Sequence, residues 1–400
     1  MSIHKFSKKI NVVSQFWPPS FVGGGEISTY IVCQKLVKKG YEVTILTPNI
    51  PKKNDESFRF SKLYNPSKFL KPFERNYFSR ISLKGDLPKG VYWASDYYGA
   101  AYLRNKKVKK FVTVRDHWPI CLTSLNLLDD YSPCDGCSLW NFTKHYGIFQ
   151  ATPYKKLLRL FSLLYNHPFR KSILLSFDHV VFVSDYIANK IVEQIPLKDY
   201  SRIYNPLPRD FIKNYPSNEI IKKNILFSGF MKEFKGIDVI LRVMEEIKRV
   251  DKDYQLNIVG YGDLEKYQGL VWRMGLKKQV KFKGKLSMKE IAQIFAMSTF
   301  VVVPSLCYET FGRTVIEGMS QKCVVIATNR GGPSEIIKNG RNGFLFKLGD
   351  YSQVAKIILR LYNNPRKVRE IKQNARKFSI ENFSPDKIAN QYESLIKKLY

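Results

Sequence analysis

The sequence predicts an α/β protein built as two doubly wound, mainly parallel sheets, each in its own domain. Three observations carry that prediction. The chain has 400 residues, more than one ordinary core uses and natural for two domains of about 200 residues each. Short β-branched runs alternate with amphipathic helical stretches along most of its length, which is how parallel strands covered by helices read. The alternation breaks at IYNPLP, Ile203–Pro208, where two prolines interrupt it, and then restarts. Residues 1–205 are therefore expected as one domain, 206–384 as a second, and 385–400 as a closing helix.

The first half opens on INVVSQF, Ile10–Phe16, a strand. WPPSFVGGGE follows, a loop with two prolines and the three glycines Gly23, Gly24 and Gly25, and then an amphipathic helix that ends near Gly40. The run YEVTILT, Tyr41–Thr47, completes a strand–helix–strand unit. GxGxxG is absent from this loop, so no dinucleotide fingerprint is read there. Further strands are expected at Gly90–Ser95, Lys110–Val114 and Val180–Ser184, and a helix over Asp185–Ile195. In the second half the expected strands are Asn224–Gly229, Tyr254–Gly260, Val280–Gly284, Phe300–Ser305, Cys323–Thr328 and Gly343–Phe346. The expected helices are Gly236–Val250, Asp263–Met274, Met288–Met297, a long one from about Ser352 and another from about Pro385. Ligands in such sheets sit beyond the carboxyl ends of the strands, so a central cleft between the domains is expected to hold the site.

Composition narrows the class. Apolar residues make up 44% of the chain, enough for folded cores. The net charge is +32; residues 1–205 hold 31 basic and 15 acidic side chains (+16), and the remaining 35 and 19 give +16 for residues 206–400. An excess spread this evenly is either a solvated surface or a match to anionic surroundings such as acidic headgroups or phosphorylated ligands. Sequence-specific nucleic-acid binding has no module behind it. No apolar run reaches the roughly 18 residues of a spanning helix, and the first residues lack a signal-peptide core. The expected location is the cytoplasm, with reduced thiols. KPFERNYFSRISLK, Lys71–Lys84, and KKLLRLFSLLYNHPFRK, Lys155–Lys171, are cationic and amphipathic. Each either packs its apolar face inward or lies on an anionic membrane at the inner face of the cell membrane.

The candidate chemistry concentrates in SLCYETFGRTVIEGMS, Ser305–Ser320. Two carboxylates, Glu309 and Glu317, flank Phe311-Gly312 at a strand-to-helix turn. A carboxylate accepts from two vicinal hydroxyls at once. The amides of Phe311, Gly312 and Arg313 would crown a helix start, where N–H groups and the dipole attract a diphosphate.

Several motifs stand in a fixed order: LNIVGYGD, VKFKGKLSMKEI, PSLCYETFGRTVIEGMS, VVIATNRGGPSEII and NGRNGFLF, with PPSFVGGGE and GYEVTILT in the first half. Together they resemble the retaining glycosyltransferases of family 4, across nearly the whole chain. The resemblance implies the GT-B fold, with two Rossmann-like domains facing a central cleft and the closing helix packed back on the first domain. It implies transfer of a sugar from a nucleotide diphosphate sugar, UDP- or GDP-linked, to a glycan or lipid-linked hydroxyl acceptor, as in polysaccharide or glycolipid synthesis, with no cofactor or metal required. Glu309 would then bind the hydroxyls of the donor sugar and Glu317 the ribose. Gly23, Gly24 and Gly25 would touch donor phosphate and acceptor, and the departing phosphate would take the acceptor's proton.

FSGFMKEFKG, Phe227–Gly236, matches the family's phosphate-gripping segment, with Gly229 and Lys235 in place. Phe230 stands where relatives carry arginine, so either Lys232 or Arg313 substitutes or donor binding is weak. In FVTVRDHWPICL, Arg115 occupies the place of the family's histidine, followed by Asp116 and His117. Arg115 and His117 are both candidate catalytic groups, and His117 is equally readable as a structural side chain beside Trp118. These departures also leave open a non-catalytic nucleotide-sugar binder of the same fold. Cys121, Cys134 and Cys137, the last two as Cys-x-x-Cys, are zinc candidates with His117 or His145, or else free thiols.

Overall fold

The structure is a computed structural model and describes residues 8–19, 23–52, 55–66, 74–124, 127–128, 132, 134, 136–137, 141, 160–215 and 222–400. It divides into two compact units, Met1–Pro206 with Pro385–Tyr400, and Leu207–Ser384.

In the first unit the strands are β1 (Lys9–Val13), β2 (Glu42–Thr47), β3 (Arg59–Tyr64), β4 (Ser82–Leu83), β5 (Val91–Ala94), β6 (Lys110–Val114), β7 (His179–Phe182) and β8 (Tyr200–Arg202). Their order across the sheet is β4-β3-β2-β1-β5-β6-β7-β8, parallel except for the β3–β4 pair. Helix α1 (Gly24–Lys38) links β1 to β2, and α2 (Tyr97–Leu103) links β5 to β6. Asp96 fixes the start of α2: its Oδ1 accepts from Gly99 N at 2.7 Å, and its Oδ2 from Ser14 Oγ at 2.9 Å and Gln15 N at 2.7 Å. One carboxylate thus ties the ends of β1 and β5 together. Farther along lies α3 (His167–Leu174).

In the second unit β9 (Asn224–Ser228), β10 (Gln255–Val259), β11 (Val280–Gly284), β12 (Phe300–Val303), β13 (Val324–Thr328) and β14 (Phe344–Phe346) form a sheet ordered β11-β10-β9-β12-β13-β14. Helix α4 (Ile237–Val250) follows β9 and buries Ile240, Leu241, Met244 and Ile247 on one face; α5 (Arg313–Ser320) follows β12. The single long helix expected from about Ser352 is two helices, α6 (Tyr351–Tyr362) and α7 (Pro365–Phe383). Asn364 accepts from Lys367 N at 3.1 Å and Pro365 takes the first helical position, so the chain stops and starts again there.

The closing helix α8 (Pro385–Leu399) belongs to the first unit. Its Ile388, Tyr392, Leu395 and Ile396 join a core with Trp93, Phe111, Val32 and Leu36. Tyr392 lies 4.7 Å from the Trp93 ring, and its hydroxyl is 3.1 Å from Thr113 Oγ1.

The two cationic stretches differ. In the first, Tyr77, Phe78 and Ile81 are buried and spent on packing, and residues 71–73 lie outside the described residues. In the second, Leu164 is 65% exposed, and residues 155–159 lie outside the described residues. Among the described residues no helix is long and apolar enough to cross a membrane.

Candidate active site

In a doubly wound sheet a crevice opens where strand order reverses direction. In the second unit this point lies between β9 and β12, since β10 and β11 build out one way and β13 and β14 the other. Two loops leave the carboxyl ends of those strands side by side, residues 229–236 and residues 304–312. They pack backbone to backbone. Leu306 N and Cys307 N both donate to Phe234 O, at 2.9 and 3.2 Å. Gly236 has φ +74°, and a Cβ there would stand 1.8 Å from Pro304 O, so no other residue fits without moving the loops apart.

That contact brings Lys235 to Glu309. Lys235 Nζ donates to Glu309 Oε1 at 2.6 Å, and Ser305 Oγ donates to the same oxygen at 2.6 Å. The two charged side chains are 27% and 21% exposed. Burial alone would raise the Glu309 carboxyl, but the Lys235 charge and both donated bonds outweigh it and hold the group below the ordinary glutamate value. Burial alone would lower the Lys235 ammonium, and Glu309 holds it above the ordinary lysine value. Both groups are charged across neutral pH. The backbone of Glu309 is pinned as well: Gly332 N donates to its carbonyl at 2.7 Å, and a Cβ on Gly331, at φ +66°, would come within 2.2 Å of that oxygen.

Gly312 caps α5, whose start carries no side-chain cap. Phe311 is buried with its ring edge-on to Phe383 at 5.7 Å. Glu317, on α5, is 8% exposed and accepts from Arg313 Nη2 at 3.1 Å. Gly229 N donates to Val259 O at 3.0 Å, holding the first loop to β10. Phe230 packs against Tyr261, with centroids 4.9 Å apart. Neither expected substitute for the absent arginine is uncommitted. Lys232 Nζ lies 2.9 and 3.0 Å from the two oxygens of Asp263, and Arg313 pairs with Glu317.

In the first unit the reversal falls between β1 and β5. Gly23, Gly24 and Gly25 open α1 just past β1, again without a side-chain cap. Arg115 lies beside them: a Cβ on Gly25 would be 3.1 Å from Arg115 Cδ. Arg115 Nη1 donates to Ser95 O at 2.7 Å and Nε to Asn205 Oδ1 at 3.3 Å. Burial lowers its guanidinium from the ordinary value, with Tyr392, Glu26 and Asp96 pulling the other way. His117 does not reach this place. It is 1% exposed, its Nε2 lies 3.3 Å from Tyr186 Oη, and burial pushes its pKa down to about 4. Just before it, Asp116 Oδ1 accepts from Trp118 N at 2.7 Å.

The zinc candidates are not assembled as ligands. Cys121 Sγ is 3.0 Å from Thr123 Oγ1, Cys134 Sγ donates to Gly136 O at 3.5 Å, and Cys137 Sγ donates to Ile120 O at 3.6 Å. Burial pushes the Cys137 thiol up to about 11, with the neighbouring Cys121 and Cys134 adding to the rise. Among the described residues no group of three or more His, Cys, Asp or Glu is placed to hold a metal ion. His145 lies outside the described residues.

Sequence reasoning missed Ser305, Gly331, Gly332 and Arg330. Arg330 Nη1 donates to Leu306 O at 2.8 Å, and its guanidinium lies 4.9 Å from the Tyr308 ring. The Arg-Gly-Gly run was the available signal; its link to Glu309 exists only in three dimensions.

The family profile described as Glycosyl transferases group 1 matches residues 211–378, and that described as Glycosyltransferase Family 4 matches residues 22–211. The chain belongs to the family 4 glycosyltransferases. An uncharacterized glycosyltransferase of Methanocaldococcus jannaschii is 30% identical over 223 residues, 54% of this chain and 60% of its own. The N-acetyl-alpha-D-glucosaminyl L-malate synthase of Bacillus anthracis is 30% identical over 229 residues, 54% of this chain and 59% of its own. The match thus spans less than two thirds of these family members' length. Among solved structures, Anabaena HepE in complex with UDP aligns with a TM-score of 0.69 at 16% identity, over 98% of this chain and 100% of that one. Sucrose-phosphate synthase from Thermosynechococcus elongatus aligns at 0.71 and 20%, over 98% of each chain. The likeness establishes the fold of the family, GT-B, with two Rossmann-like units.

Proposed function

We propose that this chain transfers a sugar from a nucleoside diphosphate sugar to a hydroxyl of a glycan or lipid-linked acceptor, with retention of anomeric configuration. The observation that carries the reading is the Lys235–Glu309–Ser305 cluster at the reversal point of the second sheet. A charged carboxylate with a remaining free oxygen accepts from sugar hydroxyls, and the two donors on Oε1 keep it ionised and aimed. Lys235 has three N–H donors and spends one on Glu309. The others face the diphosphate and offset charge that grows on it as the glycosidic bond breaks. Glu317, steadied by Arg313, takes the ribose hydroxyls. The acceptor hydroxyl attacks on the face the diphosphate leaves, and its proton passes to the departing phosphate oxygen, so no separate base is needed. Arg115, with Gly23–Gly25, holds an anionic part of donor or acceptor in the first unit.

Phe230 supports a second reading, binding without turnover, because the family's arginine is absent and both neighbouring cations are tied to carboxylates. One assay separates the two. The protein is screened by thermal shift over nucleotide sugars, and the stabilising donor is then followed for release of nucleoside diphosphate with and without acceptor. Release that is lost in Glu309→Gln supports transfer. A thermal shift with no release supports the binder, and no shift with any donor refutes both.

A further inference from the structure

A cavity in the first unit lies beside the turn that enters β6, at the amino end of that strand. It has a volume of about 260 Å³ and is lined by Arg75, Arg104, Asn105, Lys106, Tyr102 and Phe169 among others. Arg104 and Lys106 sit in the turn between α2 and β6, before the amino end of β6, whereas Arg115 follows its carboxyl end. The cavity is therefore separate from the crevice at the β1–β5 reversal.

The turn is built rather than incidental. Lys110 Nζ donates to the carbonyls of Leu103, Arg104 and Lys106 at 2.8, 3.0 and 2.9 Å. Arg104 Nε donates to Ser172 Oγ on α3 at 3.0 Å, and its guanidinium lies 5.3 Å from the Phe169 ring. Lys106 Nζ lies 5.2 Å from the Tyr102 ring. Arg104 Nη1 also donates to Asn105 Oδ1 at 3.0 Å; aromatic faces, one hydroxyl and one amide oxygen thus hold two cations over the cavity, with Arg75 on the short helix Glu74–Ser79 supplying a third. Among the described residues no carboxylate lies within ion-pair range of any of the three. The adjacent acid, Glu74, is committed to Arg170 at 2.6 Å. Burial lowers the Arg104 guanidinium from its ordinary value and the charge of Arg75 adds to the effect. Three like charges around one hollow repel one another until an anion enters.

We propose that this cavity is a binding site for a phosphorylated small molecule, its phosphate oxygens held by Arg75, Arg104 and Lys106. Phosphate suits the set better than carboxylate. It carries about −1.5 to −2 charge near neutral pH and accepts through three oxygens, and a planar guanidinium matches two of them at once. Asn105 adds a neutral donor, and Tyr102 and Phe169 offer apolar surface to the organic part of the ligand.

Inorganic pyrophosphate is the probe, titrated calorimetrically into the full chain at low salt. Four proteins are compared: wild type, Arg75→Ala/Lys106→Ala, Lys235→Ala and the surface control Lys277→Ala/Lys278→Ala. The first double variant leaves the anchored Arg104 in place and should melt with the wild type. Binding weakened by about tenfold or more in that variant, and retained in Lys235→Ala and in the control, supports the site. Sedimentation with phosphatidylglycerol vesicles separates the sources: vesicle binding lost together with pyrophosphate binding assigns a lipid headgroup, and vesicle behaviour unchanged assigns a soluble phosphorylated compound. The proposal is overturned if wild type shows no binding that Lys235→Ala retains. An equal loss in the surface control, or no loss in Arg75→Ala/Lys106→Ala, overturns it too.

Discussion

Replacing Glu309 by Gln removes one negative charge and leaves the shape. The carboxylate accepts two bonds of 2.6 Å on one oxygen, from Lys235 and Ser305. A hydrogen bond to a charged group nets about 1.5–3 kcal/mol, and breaking a fully buried pair costs about 3–5 kcal/mol. With the side chains 27% and 21% exposed, the lower range applies. The amide oxygen still accepts one bond, so the expected loss is about 1–2 kcal/mol. For a unit of this size each kcal/mol moves the midpoint by about 2–4 °C. The second unit should therefore melt about 2–8 °C lower by calorimetry. Donor turnover should fall by about 100-fold or more, the usual scale for losing one preorganised charge contact at a transition state. An unchanged midpoint together with unchanged turnover would refute the reasoning.

The same pair sets a pH window. The folded carboxyl of Glu309 lies below its unfolded value, so its share of stability is present above the ordinary glutamate range and lost as pH falls through the depressed value. Lys235 lies above its unfolded value, so its share is present below the ordinary lysine value and lost as pH rises through the raised one. Wild type minus Glu309→Gln should give a stability difference that is level across neutral pH and shrinks at both ends.

Further outcomes follow from other residues. Glu317→Gln should weaken binding of the nucleoside diphosphate by about tenfold in calorimetry, with a small change in midpoint because Arg313 keeps an acceptor. Gly331→Ala places a Cβ 2.2 Å from Glu309 O at φ +66°; it should cost about 1–3 kcal/mol in melting and reduce turnover by shifting Glu309. In the first unit, burial pushes Asp116 up to about 6 and His117 down to about 4. The buried neutral His117 makes stability rise with pH between its folded and unfolded values, whereas Asp116 makes stability fall over nearly the same range. The two slopes oppose in wild type, so His117→Gln should unmask a stability that declines as pH rises from 4 to 6, read by denaturant titration.

Much of the fold was legible because its signals are local. The runs KFVTV and VKFKG give β6 and β11 with the expected bounds, and Ser287 with Glu290 forms the capping box that starts the helix Met288–Met297. What escaped lacks such signals. In β3 only Leu63 is buried, and β8 is three residues long, so neither presents a strand pattern. Both exist because an edge was available to pair with. The break at Asn364-Pro365 was local and readable, yet the amphipathic pattern on either side concealed it.

At the site, the sequence by itself determined the residue types: two glutamates across a glycine turn, a lysine before a glycine, and three glycines ahead of a helix. It could not decide which of them meet. Lys235 and Glu309 are 74 positions apart, and they touch because β9, flanked by β10 on one side, takes the distant β12 as its neighbour on the other. Folding of the second unit also spent Lys232 on Asp263, and that of the first unit buried His117. Periodicity and capping act over a few residues, whereas strand order is settled by burial and ladder pairing across the whole unit, and the charges find their partners only once that order exists.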